Sequence, residues 1–481
     1  MVKTMEIREA LTFDDVLLVP KKSVVGSRKD ISLKSRLSKN ISLNIPIISA
    51  NMDTVTESSM AISLAKMGGL GIIHRFLTIQ EQVNEVLKVK RAENFIIDKP
   101  FTLLENAKLK DAKSLMQENN VSGILIVNNE NKLRGILTER DIIFEDDSEK
   151  NVNELMTPEK DLITTLPGIN LEKAQEILHA NKLEKLPIVD ENNNLYGLIT
   201  SSDIYKIKKY PYSSKDNKGK LMVGAAIGVK EEDIKRAQEL LDNGADVLVL
   251  DIAHGHSDIA LNMIKKIKKE FSCELIAGNV ATKQGTEDLI SAGADAVKVG
   301  VGSGSLCVTR LVAGAGVPQL TAVIDCVEVA EKYNIPIISD GGIRTSGDIT
   351  KALAAGASSV MIGSLLAGTD ESPGFVMNKN GIKYKMTRGM AGVTANLARK
   401  SSNGKITQED VEDIVPEGVE AKVPYRGKVS GVIKQLIGGL RSGLSYCGVS
   451  NLNDLRKNAE FIKISEAGKV ESKPHDVSVI K

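Results

Sequence analysis

The chain has no tryptophan, and aromatic residues make up only 3% of its 481 positions. Stacking platforms for single-stranded nucleic acid need such rings, so the composition argues against that class. Charge argues the same way. Lys and Arg number 63 against 62 Asp and Glu, for a net charge of +1, too weak a field to gather a polyanion or a membrane surface. The four cysteines, Cys273, Cys307, Cys326 and Cys447, have neither zinc-ligand spacing nor the density of a disulfide scaffold. No apolar run approaches the ~20 residues of a membrane helix. The opening MVKTMEIREALTFDDVLLVP has charges where a signal peptide needs its apolar core. These absences predict a reduced, cytoplasmic protein with no nucleic-acid or membrane partner.

What is present is ordered. Apolar content of 42% and charged content of 26% are ordinary for a globular protein, and the length implies two or three domains. Short runs rich in Val and Ile recur at 45–50, 68–74, 221–228, 245–251, 273–279, 294–300, 335–342 and 357–363. Each is bounded by Gly, Pro or Asp and reads as a strand buried on both faces. Helical patterns such as EEDIKRAQELLDNGA and TEDLISAGA lie between them and end at glycine stops. Eight strands alternating with helices predict an α/β fold, a closed (β/α)₈ TIM barrel, with an open doubly wound sheet as the alternative.

The alternation breaks between His74 and Leu221, and the gap holds an internal repeat. VSGILIVNNENKLRGILTERDI (121–142) matches LEKLPIVDENNNLYGLITSSDI (183–204) register for register. Each half reads as strand, polar turn, strand, then a Thr-x-x-Asp opening a helix. The pair resembles tandem CBS domains inserted into a barrel loop. The expected boundaries are 1–91 with 211–481 for the barrel, 92–150 for the first CBS domain and 151–210 for the second. The resemblance implies ATP or GTP in the clefts, with Thr138, Asp141, Thr200 and Asp203 as contacts. A purely structural repeat is the plainer reading.

Barrel chemistry sits on loops at the C-terminal ends of strands. Two such loops carry bare glycines: SDGGI (339–343), with Gly341 and Gly342, and IGSLLAG (362–368), with Gly363 and Ser364. Glycines let peptide N–H groups approach an anion, and a following helix start adds its dipole. Two such loops after the last two strands predict a phosphate-ester site, where one glycine pair alone would read as a turn. A third loop, GVGSGSLCVTR (300–310), holds Cys307. A lone cysteine is usually a small apolar filler. Gly300, Gly302, Ser303, Gly304 and Ser305 build no core, however, and peptide dipoles around an exposed sulfur favour the nucleophilic thiolate. The other three cysteines keep the filler reading.

These motifs together, GVGSGSLCVTRLVAGAGVPQ, LTFDDVLLVP, SDGGIR, GSLLAGTDESPG and VPEGVEAKVPYRG, resemble the IMP dehydrogenase and GMP reductase family across nearly the whole chain. The resemblance implies that Cys307 attacks the purine C2 of GMP or IMP to give a covalent thioimidate. Ser305, Gly342, Gly363 and Ser364 would hold the phosphate, with Gly341 beside them, and Asp340 would hold the ribose hydroxyls. Arg388, Gly389 and Met390 would lie along the base. Glu417 would face the purine, with Thr309 as its partner in proton movement. Asp251, Gly300, Val301 and Gly302 would meet NADPH or NAD. Carbonyls of Gly302, Gly304 and Cys307 would form a K⁺ site, completed by Glu471, Ser472 and Lys473 of a neighbouring subunit in a homotetramer or octamer.

The two activities of that family part after the shared adduct. A dehydrogenase hydrolyses it to XMP, using water activated by a flap Arg-Tyr pair; a reductase expels ammonia and accepts hydride. The flap interval 389–418 has Asn403 and Gly404 where the pair is expected, with Arg399 out of register. An amide and a bare glycine cannot act as a guanidinium base assisted by a phenol. Asn51 in SANMDTV and Ile252 in LDIAHGHS are closer to the reductase pattern, and Thr387 replaces a phosphate-binding Tyr. The CBS pair and the KPHDV tail (473–477) favour the dehydrogenase. The balance predicts GMP reductase, with IMP dehydrogenase as the alternative and a silent CBS nucleotide sensor as a third class. His254 and His256 have an H-x-H spacing but no third ligand, and read as residues facing substrate or water rather than metal. The run 205–220 reads as a solvated linker.

Overall fold

The computed structural model describes residues 7–92, 96–97, 99–119, 121–395, 397, 415–474 and 477. Two compact units are present, Met1–Ala92 with Tyr212–Lys481, and Glu93–Pro211. In the first, eight parallel strands close into a barrel: β1 (Ile47–Ser49), β2 (Leu70–Ile73), β3 (Gly224–Ile227), β4 (Val247–Leu250), β5 (Glu274–Val280), β6 (Ala296–Val299), β7 (Ile337–Asp340) and β8 (Ser359–Ile362). Pairing of Val360 with Ile47 and of Ile362 with Ser49 joins β8 back to β1, so the open-sheet alternative is excluded.

Closure follows from the side-chain alternation. Ile48, Ile72, Ala226, Val249, Ile276, Ala296, Ile338 and Met361 form one buried cluster inside the ring. Their strand neighbours Ile73, Ile227, Leu248, Leu250 and Val297 face helices in another. Strands apolar on both faces must be covered on both. The covering helices are α1 (Ser58–Lys66), α2 (Ile79–Arg91), α3 (Glu232–Asp242), α4 (Asp258–Glu270), α5 (Lys283–Ala292), α6 (Gln319–Ala330) and α7 (Ser346–Ala354), with the short α8 (Ser364–Ala367) after β8 and α9 (Val429–Tyr446) against α7. α2 lies within the interval where the sequence reading broke the alternation at His74. Its start is a capping box in which Thr78 N–H donates to Glu81 Oε2 at 2.9 Å and Glu81 N–H to Thr78 Oγ1 at 3.3 Å. The Thr-x-x-Glu signal was there, although the next barrel strand, β3, comes only at Gly224.

In the second unit, the strands Gly123–Val127 and Leu133–Thr138 pair antiparallel, as do Lys185–Val189 and Leu195–Thr200. Their turns hold Asn131 and Asn193 at matching left-handed φ of 59° and 62°. Each Thr-x-x-Asp forms a local contact: Thr138 Oγ1–H donates to Asp141 Oδ2 at 2.7 Å, and Thr200 Oγ1–H to Asp203 Oδ2 at 2.6 Å. Among the described residues, no helix is long and apolar enough to cross a membrane.

Candidate active site

The C-terminal ends of the barrel strands surround a cavity of about 630 Å³. All three glycine loops open into it. From the β6 loop come Gly300, Val301, Gly302, Gly304, Ser305, Cys307 and Thr309; from β7, Asp340, Gly341 and Gly342; from β8, Gly363 and Ser364. Asp251 at the end of β4 and Gly389, Met390 and Glu417 complete the predicted lining.

Cys307 stands at a turn closed by its own N–H on Gly304 O at 3.1 Å. Its Sγ is 3.1 Å from Thr309 Oγ1, and that hydroxyl donates to Glu417 Oε2 at 2.7 Å. Glu417 is brought across more than a hundred residues by main-chain pairing: Val308 N–H donates to Glu417 O at 2.9 Å and Val419 N–H to Leu306 O at 3.0 Å. Sulfur, hydroxyl and carboxylate therefore form one continuous path for a proton. The other three thiols are less ionised than a free cysteine. Burial pushes Cys273 up to about 11, Cys326 up to about 12, and Cys447 above its ordinary value. At pH 8 about one Cys273 in a thousand, and fewer Cys326, would be thiolate. Brief iodoacetamide treatment followed by peptide mass spectrometry is expected to label Cys307 first, with protection by nucleotide. Equal labelling of Cys273 would contradict this ordering.

The phosphate-type loops are set by backbone. Gly341 and Gly342 have φ of 97° and 77°, a region that side chains strain to adopt. The loop runs into α7, where Arg344 and Thr345 N–H groups both donate to Asp348 Oδ2 at 3.0 Å. Gly300 is the tightest point. A Cβ there would lie 1.9 Å from Asp340 O, so the β6 and β7 loops can touch only if residue 300 has no side chain. Gly300→Ala is expected to cost about 3 kcal/mol of stability and to raise the nucleotide KM, read by urea melts and steady-state kinetics.

Several polar groups of the cavity escaped the sequence reading. Lys298 is buried on β6, donating to Asp340 Oδ2 at 2.8 Å and also bonded to Asn279 Oδ1. Asn279 donates to the same carboxylate oxygen at 3.0 Å. Asp340 is thus fixed by two donors, and removing Lys298 would leave a carboxylate without its partner cation. The signal was a lone lysine inside the apolar run ADAVKVG, in register with inward-facing Ala296. Arg75, after β2, pairs with Asp251 at 2.9 Å. Asn51, singled out in the sequence by its SANMDTV setting, lines the cavity and is buried. At the rim, the Arg344 guanidinium holds the Asp14 carboxyl below its usual range.

Other predicted residues lie elsewhere. Arg388 turns from the cavity, its Nε donating to Asp53 Oδ2 at 2.8 Å, so of the base-facing segment only Gly389 and Met390 line it. Thr387 is buried against Thr54 at 2.9 Å. Glu471 ends a short helix, Glu466–Glu471, followed by Ser472 and Lys473, and none of the three lines the cavity. Asn403, Gly404, Arg399 and, in the KPHDV tail, His475 and Asp476 lie outside the described residues. His254 and His256 are in the loop after β4; His256 Nε2 meets Asp288 Oδ2 at 2.8 Å. Among the described residues, no group of three or more His, Cys, Asp or Glu side chains is placed to hold a metal ion.

The chain as a whole is similar to known proteins. Residues 10–475 match the model of the IMP dehydrogenase / GMP reductase domain. The chain is 57% identical to the inosine-5'-monophosphate dehydrogenase of Nitrosopumilus maritimus, over 98% of this chain and 99% of that one. It is 48% identical to the GMP reductase of Leishmania donovani, over 98% and 97%. Among solved structures, a cysteine-to-alanine variant of the GMP reductase of Trypanosoma brucei in complex with guanosine 5'-monophosphate superposes with a TM-score of 0.91 at 45% identity, covering 98% of this chain and 99% of that one. The chain belongs to the IMP dehydrogenase / GMP reductase family of NAD(P)-dependent purine nucleotide oxidoreductases.

Proposed function

We propose that the protein is a GMP reductase, converting GMP and NADPH to IMP and ammonia. The observation that carries this reading is in the flap interval: residues 389–418 contain no tyrosine and a single arginine, Arg399. A dehydrogenase must make water attack the adduct, and the interval lacks the pair that would activate it. The Leishmania and Trypanosoma reductases, aligned over 97% and 99% of their own lengths, remove the objection that a reductase should lack an insertion of this size.

The lining of the cavity supports this reading. Gly341, Gly342, Gly363, Ser364 and Ser305 offer N–H and hydroxyl donors to the nucleotide phosphate, and Asp340 accepts from the ribose. The wall also presents Asp251 and Arg75, paired at 2.9 Å, a carboxylate for ribose hydroxyls and a guanidinium for a phosphate of NADPH. Cys307 Sγ bonds to C2. The thiol proton moves through Thr309 to Glu417 and on to the 2-amino group; the C2–N bond breaks and ammonia leaves with no net proton uptake. Bound NADPH supplies the hydride that C2 then needs. Cys307 departs as thiolate, leaving IMP, and regains a proton from solvent.

Three further assignments rest on the resemblance. The Gly302, Gly304 and Cys307 carbonyls, with Glu471, Ser472 and Lys473 of a neighbouring subunit in a homotetramer or octamer, would hold K⁺. The second unit would be the CBS pair, binding ATP or GTP near Thr138, Asp141, Thr200 and Asp203. A Trypanosoma brucei GMP reductase solved in complex with guanosine 5'-triphosphate, at a TM-score of 0.80 and 41% identity, supports nucleotide binding. IMP dehydrogenase is the second reading, favoured by the name of the Nitrosopumilus relative at 57% identity.

A spectrophotometric pair separates the readings. Loss of reduced cofactor with GMP and NADPH, and no gain with IMP, NAD and K⁺, is the expected result. Gain with IMP alone would establish the dehydrogenase, and silence in both with tight ATP or GTP binding the sensor.

A further inference from the structure

At the opposite end of the barrel, beside the N-terminal ends of β7 and β8, lies a second cavity of about 200 Å³. Segments far apart in sequence converge on it: the two-residue strand Ser35–Arg36, the turn carrying Asn334, and the helix Leu452–Asn458. Its wall presents two guanidinium groups, of Arg36 and Arg456. Both make hydrogen bonds to neutral acceptors. Arg36 donates to Asn334 Oδ1 at 2.7 Å and to Asn334 O at 2.9 Å; Arg456 donates to Ala357 O and to Ser358 Oγ, each at 2.9 Å. Among the described residues no carboxylate forms an ion pair with either. Glu331, also in the wall, is the one acidic side chain of the lining.

Arg36 donates from Nη1 and Nη2, the latter also reaching Lys39 O at 3.5 Å, whereas both Arg456 bonds come from Nη2. Arg456 Nε is buried and has no hydrogen-bond partner, an arrangement that costs stability on a cation already removed from water. Burial pushes the Arg456 guanidinium below its ordinary range; Glu331 opposes the shift and Arg36 adds to it. Asn334 is held at a left-handed φ of 54°, which keeps its amide against Arg36. The site supplies donors from several directions and two positive charges against one negative. Among the described residues, neither guanidinium is hydrogen-bonded to an acceptor carrying negative charge.

We propose that this cavity binds a small oxyanion of the phosphate class, held by the Arg36 and Arg456 guanidinium groups with the Ser358 hydroxyl beside them. Planar guanidinium groups meet tetrahedral oxyanions through paired N–H donors, and the volume admits one phosphate with room for water or a small ester substituent. The ligand would tie the 35–36 strand to the 452–458 helix across the barrel base, remote from the glycine loops that open at the other end.

Calorimetry on the full chain tests this. The protein is first saturated with GMP, which occupies the phosphate loops of the catalytic face. It is then titrated with inorganic phosphate and separately with ribose 5-phosphate, against chloride at matched ionic strength. One saturable phosphate site per chain is expected, with a Kd below about 1 mM and a loss of about tenfold or more in Arg36→Gln and in Arg456→Gln. Arg36 is half-buried at the edge of the fold, so its variant keeps the test open should Arg456→Gln fail to fold. Binding of both ligands places phosphate monoesters in the site, and binding of phosphate alone restricts it to the free anion. Absence of saturable binding, or binding unchanged in Arg36→Gln, would overturn the proposal.

Discussion

Replacing Cys307 by Ala is expected to lower kcat about ten-thousand-fold or more while leaving GMP affinity within a fewfold of the parent. The asymmetry follows from the geometry. The sulfur is one small group on the cavity wall, whereas the phosphate-type contacts come from the separate loops at Gly341–Gly342 and Gly363–Ser364. Deleting it removes the bond-forming atom and little of the binding surface, and loss of a covalent nucleophile is among the largest single-residue effects in enzymes. Acid-quenched digests of the parent with GMP should carry a purine on the peptide containing Cys307, and the variant should carry none. Turnover surviving in Cys307→Ala would remove the covalent route altogether. The neighbouring thiols offer no substitute, since burial keeps Cys273 and Cys326 protonated.

The barrel was legible in the sequence because its strands are buried on both faces and therefore read as short continuous runs between turn residues. The loops of the cavity were legible because backbone held at left-handed φ, as at Gly341 and Gly342, is written in glycine. What was lost is what depends on pairing at a distance. Lys298 reads as a stray charge until β5 and β7 bring Asn279 and Asp340 to it. Arg388 has a place in the segment expected along the base, yet Asp53, some 335 residues away in sequence, turns its side chain aside. The Thr-x-x-Asp pairs of the second unit carry two readings at once. Each forms a local hydrogen bond at a helix start, and a capping box shares its letters with a ligand-binding dipeptide, so the spacing is compatible with both roles. Arg36 and Arg456 carry no local pattern at all; only the folded barrel base sets them side by side.

Glu417→Gln is expected to lower kcat by about 10²- to 10⁴-fold, the usual range for a positioned proton-transfer group, with a smaller change in KM. The amide preserves shape but cannot accept and return the proton that Thr309 passes on. Thr309→Val, which breaks the 2.7 Å bond to Glu417 and the 3.1 Å contact to Cys307, should fall in the same range. Because the three groups act as one path, the double variant should be no worse than the poorer single one. A purine nucleotide carrying chloride at C2 then separates the two halves of the relay. Chloride leaves without a proton, so delivery to the leaving group is no longer needed. Recovery of adduct formation by Glu417→Gln with that substrate would assign the carboxylate to the departing amine. Continued failure would assign it to deprotonation of Cys307. Wild-type turnover of GMP by Glu417→Gln would mean that the proton follows neither course, and that the path from sulfur to carboxylate is structural alone.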